Sequence, residues 1–376
     1  MTHRIGILVG EATATRGGSS EWHEAWTNCA TLALDDANAR HALDQPVEFV
    51  VRSVEGLPTG SQHNVVQAWK ELEQEGVLAI LGPSNADNGM SVQETANAGK
   101  VPTIVFGCSE HLSSEWTFSV PWGPAPEDSF VAMDWARRQG YRRVAVLWDT
   151  AWHADEWMEY GRYAAMRYGL QIIGDERIPA LGADEAAEQA IAEQAREGLD
   201  RLRDLNPDAL VMMTSHSSGH WATALKELGW DVPRVIAGGS FGAARLLPAA
   251  FEGWVGTALW DEESNPRCAD FLSRYEQRFG VRPHEDMSIA VFDGARALFE
   301  AMSLAPILTR AGLRTGLERV KFLPATAGGP DTVLSFAPYN HRGYHGAHVS
   351  ILRRQANATF DGCVKDGYAE LNPAGS

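Results

Sequence analysis

Cysteine is scarce in this chain. Only 4 occur among 376 residues, and Cys29, Cys108, Cys268 and Cys363 lie far apart. No CxxC pair or Cys/His spacing is present, which excludes a zinc ribbon and a disulfide-built scaffold. Positive charge is also in short supply: 32 Lys and Arg face 49 Asp and Glu, a net charge of −17. That balance argues against nucleic acid or an anionic membrane surface as partner. Long hydrophobic runs are missing, so no membrane span is expected. A Walker sequence is absent, and the loop after the first strand lacks GxGxxG, so no nucleotide cofactor is expected. No secretory leader is visible, because Thr2, His3 and Arg4 lead straight into Ile5-Gly6-Ile7-Leu8-Val9. Either the protein stays in the cytoplasm or a leader has been trimmed.

What the chain does have is material for two cores, with 44% hydrophobic residues over a length too great for one typical domain. The pattern occurs twice. From Ile5 to about Val120, short apolar runs alternate with amphipathic stretches, and from Val144 to about Ala237 the alternation returns. Ile5–Val9, Val47–Val54, Val77–Leu81, Val101–Phe106 and Thr117–Val120 read as strands. Val144–Trp148, Gln171–Ile178, Ala209–Met213 and Arg234–Ala237 form the second set. The Pro-rich run Pro121–Pro126 reads as a crossover between the two, Trp254–Trp260 as a strand returning to the first lobe, and Val333–Phe336 with Ala347–Arg353 as the closing hairpin. Continuous apolar runs of this length suit strands buried on both faces. Trp22, Trp26, Cys29 and Ala33 recur at helical spacing, as do Val65, Trp69 and Leu72. The thirteen tryptophans are therefore mostly core. The fold class is α/β, with two doubly wound parallel-sheet lobes. Ligands of such sheets bind outside the C-terminal ends of the strands. The loops to watch are Glu11–Ser20, Ser84–Asn88, Gly107–His111, Asp149–Asp155, Thr214–Gly219 and Gly238–Gly242.

Motifs at those loops bring a family into view. Ile5–Gly10, Leu81-Gly82-Pro83, Val101-Pro102-Thr103-Ile104, the Tyr141–Val146 run followed by Asp149, Ala290–Ala295 and the Ser335–Gly343 turn occur in order along the chain. In that order and spacing the chain resembles the type I periplasmic binding proteins, in particular their branched-chain amino acid and amide group. Gly123-Pro124-Ala125-Pro126 resembles a segment of amide- and urea-type members, although Glu127-Asp128 follow where those have Asn-Gln. The resemblance implies three crossovers, near Val120–Gly123, Gly253–Val255 and His341–Gly346. Lobe one would be residues 1–121 with 253–338, and lobe two 122–252 with 339–376. It also implies capture of a small molecule in an interlobe cleft by hinge closure, for delivery to an ABC transporter permease.

Carried over by that resemblance, the ligand positions fall at Ser84, Asn85, Ala86, Gly107, Cys108, Ser109, Trp152, His153, His216 and Ser240. Ala86 replaces a hydroxyl residue that holds a ligand carboxylate, while Ser109 keeps the second hydroxyl and Gly107 offers a backbone N–H. His153, beside Trp152, and His216 stand where aromatic residues are usual. Ser240 stands where the family has the acidic partner of an ammonium group, for which Asp149 or Asp155 would have to substitute. The cysteines of the family's N-terminal disulfide align near Leu57 and Asn85. A buried ammonium without a carboxylate costs several kcal/mol or more. The departures therefore imply an amide, or a carboxylate with an apolar or aromatic tail, rather than a plain α-amino acid. Each residue also has a plainer reading: Trp152 as packing, the histidines as loop residues, Ser109 as a cap.

Two catalytic readings are open to the residues. Gly238-Gly239-Ser240-Phe241-Gly242 fits the G-x-S-x-G elbow of serine hydrolases, with Asp293 and His341 or His345 following in the right chain order. No HGGG-type oxyanion segment precedes it. His216 and His220 are four apart, but a metal would need a third ligand that the sequence does not name. The expectation is a binding protein, not an enzyme, with a small molecule and a permease as partners and no metal. The competing reading is a cytoplasmic ligand sensor acting on a regulator, if Met1 is the native start.

Overall fold

The computed structural model describes residues 2–10, 19–214, 216–238, 247–283, 285–354 and 360–363. The chain divides into two compact units. The first comprises Met1–Trp122 and Leu259–His348, the second Gly123–Ala258 and Val349–Ser376.

The first unit is built on five parallel strands in the order β2-β1-β3-β4-β5. These are β1 (His3–Gly10), β2 (Val47–Val54), β3 (Ala79–Ser84), β4 (Thr103–Gly107) and β5 (Thr117–Pro121). Each of β1, β3 and β4 is an apolar run that comes out fully or almost fully buried, as a doubly covered strand requires. The crossovers are α1 (Ser19–Ala39), α2 (Gln62–Gln74) and α3 (Ala86–Gly99). Trp26 packs edge-on against Phe106 at 5.1 Å, and the buried Trp69 indole donates to Thr103 Oγ1 at 3.1 Å. The tryptophans at helical spacing that the structure describes are thus core residues, each facing the sheet.

In the second unit β6 (Arg143–Asp149), β7 (Gln171–Ile178), β8 (Ala209–Met213), β9 (Arg234–Ala237) and β10 (Val255–Ala258) run parallel in the order β10-β9-β8-β6-β7. The helices are α4 (Ala125–Arg138), α5 (Trp152–Tyr168), α6 (Glu185–Asp204) and α7 (Ser218–Glu227). Asp184 caps α6 by accepting from Ala187 N at 2.9 Å, fixing a boundary that its sequence position implies.

Three expectations change. The Trp254–Trp260 run was expected to return to lobe one. Instead β10 pairs in parallel with β9, Val255 opposite Val235, and the chain leaves this unit only after Ala258. Val333–Phe336 and Ala347–Arg353 were expected to form one closing hairpin. They belong to different sheets. β12 (Val333–Leu334) lies between β11 (Leu323–Pro324) and β13 (Tyr344–His345), whereas β14 (Ser350–Arg354) pairs antiparallel with β10 and with β15 (Phe360–Cys363). Residues 339–348 accordingly stay in the first unit. Finally, Pro124-Ala125-Pro126 is not all crossover. α4 starts at Ala125, because proline in a first helical turn forfeits no intrahelical bond. The first unit is completed by α8 (Pro266–Phe279), α9 (Glu285–Leu304) and α10 (Arg310–Leu317), with α9 packed along α1.

Candidate functional site

In the first unit the candidate residues collect where β3 and β4 end side by side, Ser84 opposite Phe106. Asn85 turns the chain into α3 with φ 71°, and its side chain does not cap that helix. It donates instead to Leu57 O at 3.2 Å. Asn88, one turn along, closes the same loop from both sides: Leu57 N donates to Asn88 Oδ1 at 2.8 Å, and Asn88 Nδ2 donates to Leu57 O at 3.2 Å. Asn85 thus spends its amide on a neighbouring loop and leaves the first turn of α3 without a side-chain acceptor from its N-cap. The positive end of a helix in that state attracts an oxygen-bearing group.

Gly107 is demanded by that crowding. A Cβ on it would stand 3.0 Å from Ala86 N and 2.9 Å from Leu112. Ala86, Cys108 and Ser109 are buried beside it. Ser109 Oγ accepts from His111 N at 3.1 Å and so caps the short 3-10 helix Glu110–Leu112. The capping reading of Ser109 therefore holds, and its hydroxyl hydrogen remains able to donate. The structure brings Ser84, Asn85, Ala86, Gly107, Cys108 and Ser109 onto adjacent strand ends.

In the second unit His153, in the first turn of α5 after β6, and His216, in the loop after β8, meet edge to face at 5.2 Å. His153 is buried and also meets the Trp157 ring at 5.3 Å and 85°. Trp157 was not singled out from sequence, though its place one turn after His153 on α5 is a readable signal. The Trp152 side chain and Ser240 lie outside the described residues.

Beneath the two histidines sits Asp149, fully buried. Its Oδ1 accepts from Ala151 N at 3.0 Å. Its Oδ2 takes the Thr214 hydroxyl in a short bond, His216 N and Ser217 N at 3.3 Å each, and the Ser217 hydroxyl at 3.4 Å. Asp155 is exposed and paired with Arg177 at 3.1 Å. Neither acid is a spare partner for an ammonium group. A third acid, Asp128 in the first turn of α4, is buried and accepts from Gly238 N at 2.9 Å. Burial first, and the charge of Glu127 to a smaller degree, push its carboxyl up to about 8, against the lowering effect of the Gly238 bond.

The catalytic readings find no support in these contacts. Asp293 is saturated by Thr326 N, Ala327 N, the Tyr344 hydroxyl and Arg296. His341 is stacked on Phe118 at 3.9 Å and bonded to Ser114 O at 2.7 Å. His220 turns away from His216 to pair with Glu188 at 2.7 Å, so the two do not form a metal pair.

Comparison with known proteins agrees with this layout. Residues 4–354 match the family described as periplasmic binding protein. None of the curated protein sequences compared with the chain matches it. A substrate-binding protein of an ABC transporter from Desulfitobacterium hafniense, in complex with leucine, is 15% identical with a TM-score of 0.77, covering 96% of this chain and 99% of its own. A solute-binding protein of an ABC transporter from Rhodopseudomonas palustris BisB5, in complex with 3,4-dihydroxybenzoic acid, is 17% identical with a TM-score of 0.75, covering 94% and 93%. The branched-chain amino acid transporter substrate-binding protein LivJ from Streptococcus pneumoniae, in complex with isoleucine, is 17% identical with a TM-score of 0.78, covering 96% and 99%. At such identities the likeness is one of fold.

Proposed function

The chain belongs to the periplasmic binding protein family, and on that premise we propose that it captures a small molecule with the strand-end loops of its two units and delivers it to the permease of an ABC transporter. Its place of work is then the periplasm or cell surface. Members of the family bind their substrates without transforming them, and no catalytic step is assigned to this chain.

One observation supports the ligand class, the saturation of Asp149. An α-amino acid needs a carboxylate for its ammonium group, and an unpaired buried ammonium costs several kcal/mol or more. The buried Asp149 is consumed by hydrogen-bond donors and Asp155 is paired with Arg177. On this reading the ligand is an amide, or a carboxylate with an apolar or aromatic tail. Its oxygen-bearing head meets Ser84, Ser109, the Gly107 backbone and the start of α3. Its tail meets His153 and His216, the positions that the resemblance assigns to it. The relatives with leucine and with dihydroxybenzoate support a fold that accepts both amino acids and aromatic acids.

The test is a thermal-shift screen of amino acids, aliphatic amides and aromatic acids, paired with native mass spectrometry of freshly purified protein. A selective shift with an amide or an aromatic acid is expected. A strong, selective shift with leucine would overturn the ligand class, and no response to any of these small molecules would overturn capture.

A further inference from the structure

We infer that Asp149 is the positioning residue of the second unit's ligand-facing loops, a single carboxylate that sets the placement of His153 and His216 relative to each other. The inference rests on the function proposed above only in taking those two histidines as ligand contacts. The geometry itself is independent of any ligand.

His153, at the start of α5, and His216, just before α7, are brought together by segments that follow different strands, and the sheet alone does not fix such segments. β6 and β8 are hydrogen-bonded neighbours with Trp148 opposite Met213, so Asp149 and Thr214 are the first residues beyond the paired ladder. From there the chain runs into two helices, α5 with Ala151 at its N-cap and α7 with Ser217 at its N-cap. Neither N-cap side chain makes a capping bond. Asp149 instead takes the backbone N–H groups of the N-cap residues themselves. One carboxylate oxygen takes Ala151 N at the start of α5, and the other takes His216 N and Ser217 N at the start of α7. The Thr214 and Ser217 hydroxyls complete the set, and these two also lie 3.0 Å from each other.

A buried negative charge is tolerable here because two helix N-termini and several donors converge on it. Arg177 donates to the Asp149 backbone carbonyl at 3.1 Å and pairs through its other end with Asp155. Among the described residues the carboxylate is held by dipoles rather than by an ion pair. An asparagine has a single acceptor oxygen, so whichever way its amide turns, an NH2 group faces backbone N–H donors of one of the two helix starts. One of the two segments then loses its anchor, and the placement of the histidines relative to each other changes.

Two-dimensional NMR of the imidazole carbons of the intact protein, without added ligand, tests this. His153 and His216 signals are assigned through His153→Gln and His216→Gln. Asp149→Asn should shift both signals and leave His220 and His341 unmoved, with far-ultraviolet circular dichroism unchanged. Thr214→Val, which removes one donor and leaves the charge, should shift the same two signals by less. Asp293→Asn is the control for a buried, saturated acid elsewhere, and should lower the melting temperature without moving either signal. Unmoved His153 and His216 signals in Asp149→Asn would overturn the inference, as would a displacement of every histidine alike. If that variant does not fold, unmoved signals in Thr214→Val would overturn it. Failure of the ligand reading would appear separately, as a wild-type protein that responds to no compound in the screen.

Discussion

The Asp128 carboxyl group accepts the backbone N–H of Gly238 at 2.9 Å, inside the second unit and out of reach of solvent. With burial pushing this carboxyl up to about 8, the folded protein holds a proton that the unfolded chain, titrating near the usual carboxylate value, has released. The folded state therefore binds more protons across that window. The stability contributed by this group is full at acid pH and is lost as pH rises toward and through about 8. The slope is at most ~1.4 kcal/mol per pH unit. Asp128→Asn keeps an acceptor for Gly238 and removes the ionisation. Urea denaturation between mildly acid and mildly alkaline pH should show the variant gaining on wild type as pH rises. Parallel curves for the two proteins would contradict this.

Gly238 itself admits no side chain. Its φ is +102°, and a Cβ there would lie 2.6 Å from the Trp157 ring. Gly238→Ala combines a disfavoured backbone angle with overpacking, and should lower stability by ~2–4 kcal/mol. Chemical denaturation followed by circular dichroism measures it. A loss under half a kilocalorie per mole, against the roughly 1–3 kcal/mol typical of overpacking alone, would mean that the indole can move aside.

Asn88 holds both backbone groups of Leu57. Asn88→Ala leaves a partly buried N–H without its partner and should cost ~1–3 kcal/mol. Asn88→Asp retains the acceptor for Leu57 N but loses the donor to Leu57 O, and should fall between wild type and alanine. Melting temperatures of the three proteins rank them. The reverse order would show that charge at the start of α3, rather than the clip, governs this loop.

Ser109 has one assigned bond, accepted from His111 N. As a cap alone, Ser109→Ala would cost about 1 kcal/mol and leave affinity unchanged. As a contact for the ligand's oxygen-bearing head, it should also weaken binding of the best compound from the screen about tenfold, the equivalent of ~1.4 kcal/mol. Isothermal calorimetry of the variant separates the two.

The repeating part of the fold was legible because buried parallel strands are written as continuous apolar runs. Ile5–Val9 and Val144–Trp148 needed no partner to be recognised. The same property hid which sheet Val255–Ala258 joins, since an apolar run does not name its neighbour. Proline misled at α4, where Pro126 reads as a breaker but sits harmlessly in the first turn. Of the candidate residues, His153 and His216 meet because the strands before them, β6 and β8, are neighbours, a contact that residue types alone do not announce. The saturation of Asp149 was not legible, because donors from backbone N–H groups leave no trace in residue type. Nor was the use of Asn85, whose side chain turns to Leu57 instead of capping α3.

Asn85, Asn88 and Leu57 meet where the resemblance places a disulfide in other members. Here the join is made of amides and carbonyls, which neither oxidants nor thiols can open. Two of the buried thiols are equally indifferent: burial pushes Cys268 up to about 12 and Cys29 above the usual thiol range, leaving little thiolate to react. This segment therefore keeps its hold in an oxidising or a reducing compartment alike, and its integrity does not wait on any oxidative maturation step.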